Sequence, residues 1–159
     1  MSLRDSQREA FFEAHGYAAA RVEALPVDAS FRRYFRLTGV GAPVLLMDAP
    51  PPEENVGPFV HVDEHLVSLG LSVPQIHAVD DVNGFVLLED FGNSTYTRLL
   101  GDGENEAALY HLALDVLLHL HRHPDAASVD LPVYDEAVLL PEAALFTDWY
   151  VPAFGLGPC

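Results

Sequence analysis

The sequence predicts an α+β chain whose first half is a small antiparallel sheet with one inserted helix and whose second half is helical. Two observations carry that expectation. Short apolar runs, some strictly alternating and each bounded by Gly, Pro, Asn or Asp, fill the first ninety residues, the pattern of half-buried strands joined by turns. After Gly92 the apolar period lengthens to that of helices. The change falls at Gly84-Phe85-Val86-Leu87-Leu88-Glu89-Asp90-Phe91-Gly92, a buried strand that stops on two acids, an aromatic and a glycine. We therefore expect a first lobe over residues 1–90 and the start of a helical second lobe over 91–159.

Residues 4–15 have the spacing of a helix, with Leu3, Gln7, Ala10, Phe11 and Ala14 along one face, Ser2 and Asp5 as a capping box and Gly16 as its stop. Strands are expected over 20–27 and 32–38. In the second, Phe31, Arg33, Phe35 and Leu37 alternate with Arg32, Tyr34 and Arg36, so the two sets face opposite ways. Residues 44–47 form a third strand, ended by Pro50-Pro51-Pro52. A helix over 58–69 carries Phe59, Val62, Leu66 and Leu69 and stops at Gly70. Two further strands, 75–79 and 85–89, pair across the turn at Asp81-Val82-Asn83-Gly84. Helices are then expected over 94–100, over 105–122 with an apolar face of Leu109, Leu112, Ala113, Val116, Leu117 and Leu120, and over 135–150, where Pro141 either kinks the helix or opens a new one.

At 159 residues the chain can bury one proper core or build two small lobes. Half its residues are hydrophobic and a fifth charged, a globular composition. With 24 acids against 8 basic residues the formal net charge is −16. That argues against nucleic acid or an anionic membrane as partner, because both are bound through basic patches. It leaves room for a phosphorylated ligand, since charges in water are screened over about 8 Å and local arginines outweigh the global sum. All eight cations are arginine; the chain has no lysine. A lone cysteine, Cys159, permits no internal disulfide, and no apolar run reaches membrane-spanning length, so the expectation is a soluble, cytoplasmic protein.

A strand that leaves a sheet and becomes a linker exposes N–H and C=O groups that no ladder satisfies. Such a hinge suits a flat, hydrogen-bonding ligand such as adenine. Several other stretches stand in order around it: Asp28-Ala29-Ser30-Phe31-Arg32-Arg33-Tyr34-Phe35-Arg36, Met47-Asp48-Ala49-Pro50-Pro51, Val73-Pro74, Leu87-Leu88-Glu89-Asp90-Phe91-Gly92 and Leu131-Pro132-Val133-Tyr134-Asp135. Together they resemble the aminoglycoside phosphotransferase family of protein-kinase-like small-molecule kinases. Phe146-Thr147-Asp148-Trp149-Tyr150 is similar to the Phe-x-x-Trp-Tyr of its members that phosphorylate the anomeric hydroxyl of N-acetylmuramate or N-acetylglucosamine. The resemblance covers nearly the whole chain.

The resemblance implies an ATP-dependent transfer of a phosphoryl group to an amino-sugar hydroxyl, with Mg²⁺ as cofactor. It makes residues 29–34 the loop over the phosphates, with the Ser30 hydroxyl, Phe31 and the guanidinia of Arg32 and Arg33 replacing a glycine-rich loop. At the hinge it implies that the Glu89 carbonyl and the Phe91 N–H meet adenine, beside Leu88 and Asp90, with Val27, Val44, Ile76 and Leu88 as candidate walls. The side chains of Glu89 and Asp90 need be no more than solvated acids. Asp135, Trp149 and Tyr150 are candidates on the substrate side, although the two aromatics suit a core equally well.

The chain departs from the kinase pattern in two places. Met47-Asp48 stands where a third-strand lysine is expected to pair with a helix acid, and neither Asp63 nor Glu64 lies on the apolar stripe of its helix. Nor does any His-x-Asp followed by asparagine occur after Asn105, so no catalytic base or main Mg²⁺ ligand is assigned. His119 and His123 share an i, i+4 spacing without an acid or cysteine to complete a metal set. On this reading the 159 residues are the N-terminal part of a kinase, inactive alone. A choline- or aminoglycoside-type kinase fragment and a non-catalytic kinase-like interaction module remain alternatives, and the oligomeric state is left open.

Overall fold

The computed structural model describes residues 2–27 and 30–155. Asp28, Ala29 of the proposed phosphate loop, and Cys159 lie outside the described residues. The chain divides into two compact units, Met1–Ala127 and Ser128–Cys159, so the long helix expected over 105–122 belongs with the sheet.

In the first unit the order is α1 (Leu3–Ala14), β1 (Arg21–Ala24), β2 (Arg33–Thr38), β3 (Val44–Asp48), α2 (Gly57–Ser68), β4 (Ile76–Asp80), β5 (Phe85–Glu89), α3 (Tyr96–Gly101) and α4 (Glu106–Arg122). The five strands form one sheet in the order β1-β2-β3-β5-β4, every pair antiparallel. This is the expected five-stranded lobe with a helix inserted after the third strand. The capping box forms as the sequence implies: the Ser2 hydroxyl accepts from the Asp5 N–H, and the Asp5 carboxylate accepts from the Ser2 N–H.

Side-chain alternation along the strands gives the sheet two different faces. On one, Leu37, Val44, Leu46, Phe85 and Leu87 bury against Phe11 and Phe12 of α1. On the other, Met47, Val86 and Leu88 bury with Ala49 and Val56, and Tyr34, Leu45, Phe59 and Ile76 pack against them, which is the side of α2. The turn between β4 and β5 is tied to β3, the Ala49 N–H donating to the Gly84 carbonyl at 2.8 Å. Gly84 adopts a φ of +71°, and a Cβ there would run into the Ala49 carbonyl oxygen, so only glycine fits.

Two histidines tie α2 to α4 and to the loop that follows it. The His119 Nε2 lies 2.9 Å from the Leu69 carbonyl at the end of α2, and the His65 Nε2 lies 3.1 Å from the Ala126 carbonyl. Carbonyls only accept, so Nε2 is the donor in both contacts. His119 is thus engaged in a helix contact.

The apolar face of α4 is only partly covered: Leu109, Ala113 and Leu120 are half-buried, whereas Leu112, Val116 and Leu117 are exposed, as are Leu114 and Leu118 on other faces. The helix has more apolar surface than this unit can cover. One expectation needs correction. Asp63 was expected off the packed stripe of α2 and is instead that helix's buried residue, 7% exposed. It stands one turn beyond Phe59, on the side of the sheet.

The second unit contains α5 (Glu136–Leu145), with Pro141 inside it, a turn of π-helix over Phe146–Tyr150, and the short α6 (Val151–Ala153). Pro141 neither ends the helix nor opens a new one, and the wide turn follows it by five residues. Phe146 and Tyr150 stack at 5.0 Å, and Tyr150 meets Phe154 at 4.5 Å.

Candidate functional site at the end of the sheet

Strand β2 sorts its arginines by alternation. Tyr34 stands opposite Met47 and Arg36 opposite Leu45, on the α2 face; Arg33 stands opposite Asp48 and Phe35 opposite Leu46, on the α1 face. Arg32, one residue before the strand, follows Tyr34 and Arg36: its Nε donates to Glu54 Oε2 at 2.9 Å, just ahead of α2. The hydrogen bond from Arg32 to Glu54 raises the guanidinium pKa further. The neighbouring residues Arg32 and Arg33 therefore do not act as a pair.

On the α1 face the acid opposite Arg33 is already taken. Asp48 is buried and accepts from the Nε and Nη2 of Arg4, and Arg8 Nη1 lies 3.5 Å from its other oxygen. The two helix arginines also stack on the sheet, Arg4 over Phe85 at 3.9 Å and Arg8 over Phe35 at 4.4 Å. The Arg33 guanidinium pairs with no acid among the described residues. With Ser30, Phe31, Arg8 and Asp48 it lines a cleft of about 370 Å³ on this side. The Ser30 Oγ accepts from the Arg32 N–H at 3.2 Å, shaping the loop, and Phe31 is exposed.

On the α2 face the sheet ends at a bound linker. Arg36 Nε donates to Asp90 Oδ2 at 2.6 Å and Nη2 to Oδ1 at 3.0 Å, a bidentate pair. The Gly92 N–H donates to Asp90 Oδ1 at 2.8 Å, and Arg36 Nη1 reaches Asn93 Oδ1 at 2.9 Å. The side chains of Arg36 and Asp90 are only 14% and 4% exposed. The hydrogen bonds from Arg36 hold the Asp90 carboxyl below its ordinary pKa, against the opposing effect of burial. Asp90 is thus a buried anchor, contrary to its reading as a solvated acid. No signal in the sequence marks a pair separated by 54 positions.

The remaining hinge residues fall into place around that pair. The Leu88 side chain is buried with Met47 and Val86. The Glu89 N–H donates to the Gln75 carbonyl at 2.8 Å, and the Glu89 carboxylate turns back to accept from the Gln75 N–H at 3.1 Å. Phe91 is 57% exposed, and its N–H donates to no group among the described residues. Of the candidate walls, Ile76 and Leu88 share the α2 face, whereas Val44 belongs to the α1-side core and Val27 is exposed. Leu45, half-buried on the α2 face, was not singled out in the sequence. Its partnership with Arg36 depends on the exact register.

Asp63 is the second feature missed. Burial, and then the neighbouring Glu64, push its pKa up. It has no cationic partner among the described residues. In the second unit Asp135 caps α5, its carboxylate accepting from the Ala137 N–H at 3.0 Å, while Trp149 is 74% exposed and Tyr150 takes part in the aromatic stack.

Comparison with known proteins places this architecture. Residues 21–157 match the model of the phosphotransferase enzyme family. The chain is 47% identical over 133 residues to the N-acetylmuramate/N-acetylglucosamine kinase of Pseudomonas putida, covering 84% of this chain and 38% of that protein. The protein of the same name from Pseudomonas aeruginosa is 46% identical over 150 residues, covering 92% and 44%. That of Caulobacter vibrioides is 31% identical over 182 residues, covering 93% and 50%. The chain thus spans between 38% and 50% of the length of these three relatives.

Proposed function

The chain belongs to the phosphotransferase enzyme family, and on that premise we propose that it is the nucleotide-binding part of an ATP-dependent kinase acting on a hydroxyl of an N-acetylated amino sugar. The observation that carries the nucleotide reading is the linker after β5, where the Phe91 N–H has no partner among the described residues, next to the apolar α2 face of the sheet. Adenine would lie against Leu45, Ile76 and Leu88, accepting from the Phe91 N–H and donating to the Glu89 carbonyl.

Two such hydrogen bonds contribute only about 1–3 kcal/mol net. Millimolar to micromolar affinity corresponds to roughly 4–8 kcal/mol, so burial of the base on these apolar side chains must supply much of it. The phosphates would reach the first hairpin, where Arg32 can exchange Glu54 for a phosphate oxygen. Among the described residues no three His, Cys, Asp or Glu side chains come together as a metal site. Mg²⁺ would arrive on the nucleotide phosphates, and no step is assigned through it. The sugar as substrate is supported by the names of the relatives.

Calorimetric titration of the 159-residue chain with ATP and Mg²⁺ tests the nucleotide reading. Saturable binding in the micromolar to millimolar range, with no turnover when N-acetylmuramate or N-acetylglucosamine is added, is the expected result; no binding at millimolar nucleotide contradicts it. For the substrate, a protein extended to the length of the relatives should phosphorylate these amino sugars in preference to choline or an aminoglycoside. The opposite preference would reassign it.

A further inference from the structure

Four of the contacts around Arg36 fall on a short piece of linker. Its guanidinium takes both oxygens of Asp90, the side chain of Asn93 and, at 3.4 Å, the carbonyl of Gly92. Asp90 in turn holds the Gly92 N–H. Positions 90, 92 and 93 are thereby fixed to β2, and the one left over is Phe91, exposed and with an N–H that has no partner among the described residues. Gly92 sits at φ +78°, the left-handed conformation that lets the chain turn back within two residues.

We propose that Arg36 and Asp90 are positioning residues that clasp the linker to the sheet and so present the Phe91 N–H to the ligand. The clasp rests on the contacts above; its ligand rests on the nucleotide reading. The chemistry explains the choice of residues. A planar guanidinium offers five donors in a fixed fork and can hold a carboxylate, an amide and a carbonyl together, whereas an ammonium is a single point charge. Both side chains are nearly enclosed by protein, so the pair is not a screened surface contact. A linker fixed beforehand need not be ordered by the ligand, which raises affinity without adding a contact.

The test uses the 159-residue chain and two readouts, amide hydrogen exchange without ligand and the dissociation constant for ATP with Mg²⁺. Arg36→Met should speed exchange at Gly92 by about tenfold or more while Leu46 and Leu87 keep their protection. It should weaken nucleotide binding by about tenfold and lower the melting temperature through loss of the Asp90 pair, with the sheet still folded. Arg36→Lys and Asp90→Asn should fall between wild type and Arg36→Met, and they supply the same readouts if Arg36→Met does not fold. Arg98→Met, on exposed α3, is the control and should change neither.

Unchanged exchange at Gly92 in Arg36→Met overturns the clasp. Faster exchange with unchanged affinity overturns its role in presenting Phe91. If wild type binds no nucleotide, the nucleotide reading falls and the clasp is decided by exchange at Gly92 alone.

Discussion

The two faces of the sheet use arginine in opposite ways. On the α1 face the two paired arginines, Arg4 and Arg8, come from a helix, lie flat on Phe85 and Phe35, and neutralise the buried Asp48. They hold the fold together. On the α2 face they come from β2 and its approach, and they reach outward to segments that border the proposed site, Glu54 before α2 and Asp90 in the linker. The difference teaches that adjacency in sequence is a poor guide to shared work on a strand. Arg32 and Arg33 are neighbours with separate surroundings, whereas Arg32 and Arg36 stand on one side.

The largest expected effect lies on the α1 face. Asp48→Ala leaves Arg4 and Arg8 without their acid and should cost about 3 kcal/mol in urea unfolding, as broken part-buried pairs do. Arg32→Ala should cost no more than about 1 kcal/mol, since its pair with Glu54 is more exposed. A similar loss for both would erase the contrast between the faces.

Next is ligand affinity. Arg32→Ala should weaken ATP binding by about tenfold, equivalent to about 1.4 kcal/mol, and by more than Arg33→Ala does. The reverse order, measured by calorimetry, would move the phosphates to the α1-side cleft.

Acid titration sharpens the comparison further. Asp90 has a folded pKa below its ordinary value because of Arg36. The stability it contributes is present above the unfolded carboxylate range, near pH 4, and is lost as pH falls through the lower folded value. Arg36→Met should therefore flatten the acid limb of a stability–pH curve and leave its slope above pH 5 unchanged.

The smallest effect has the opposite sign. Burial raises the pKa of Asp63, so its contribution to stability is present below the unfolded value and lost as pH rises through the folded one. Asp63→Asn should raise the melting temperature at pH 7, on a scale of about 2–4 °C per kcal/mol for a chain of this size. A lowered melting temperature would mean that the carboxylate has a partner.

Much of the fold was legible because it rests on local signals. The capping box at Ser2 and Asp5, the alternation along β2 and the turn at Gly84 each lie within a few residues, and each forms as expected. The face of Asp63 was misread because an apolar-only stripe on α2 passed over the acid beside Val62, whereas the packed side of the helix takes in Asp63 together with Phe59 one turn earlier. The clasp was illegible for another reason. Arg36 and Asp90 meet only once the antiparallel pairing of β2, β3 and β5 has brought the linker to the strand. For α4, apolar spacing correctly marked the helix, but spacing alone could not say how much of it this unit covers.

The most direct test of the account is the hydrogen-exchange rate of the Phe91 amide with and without ATP and Mg²⁺. Exchange at Phe91 is expected to slow on adding nucleotide, with amides of α1 unaffected. Unchanged exchange at Phe91 together with protection along α1 and around Arg33 would contradict it, and would put the ligand on the other face of the sheet.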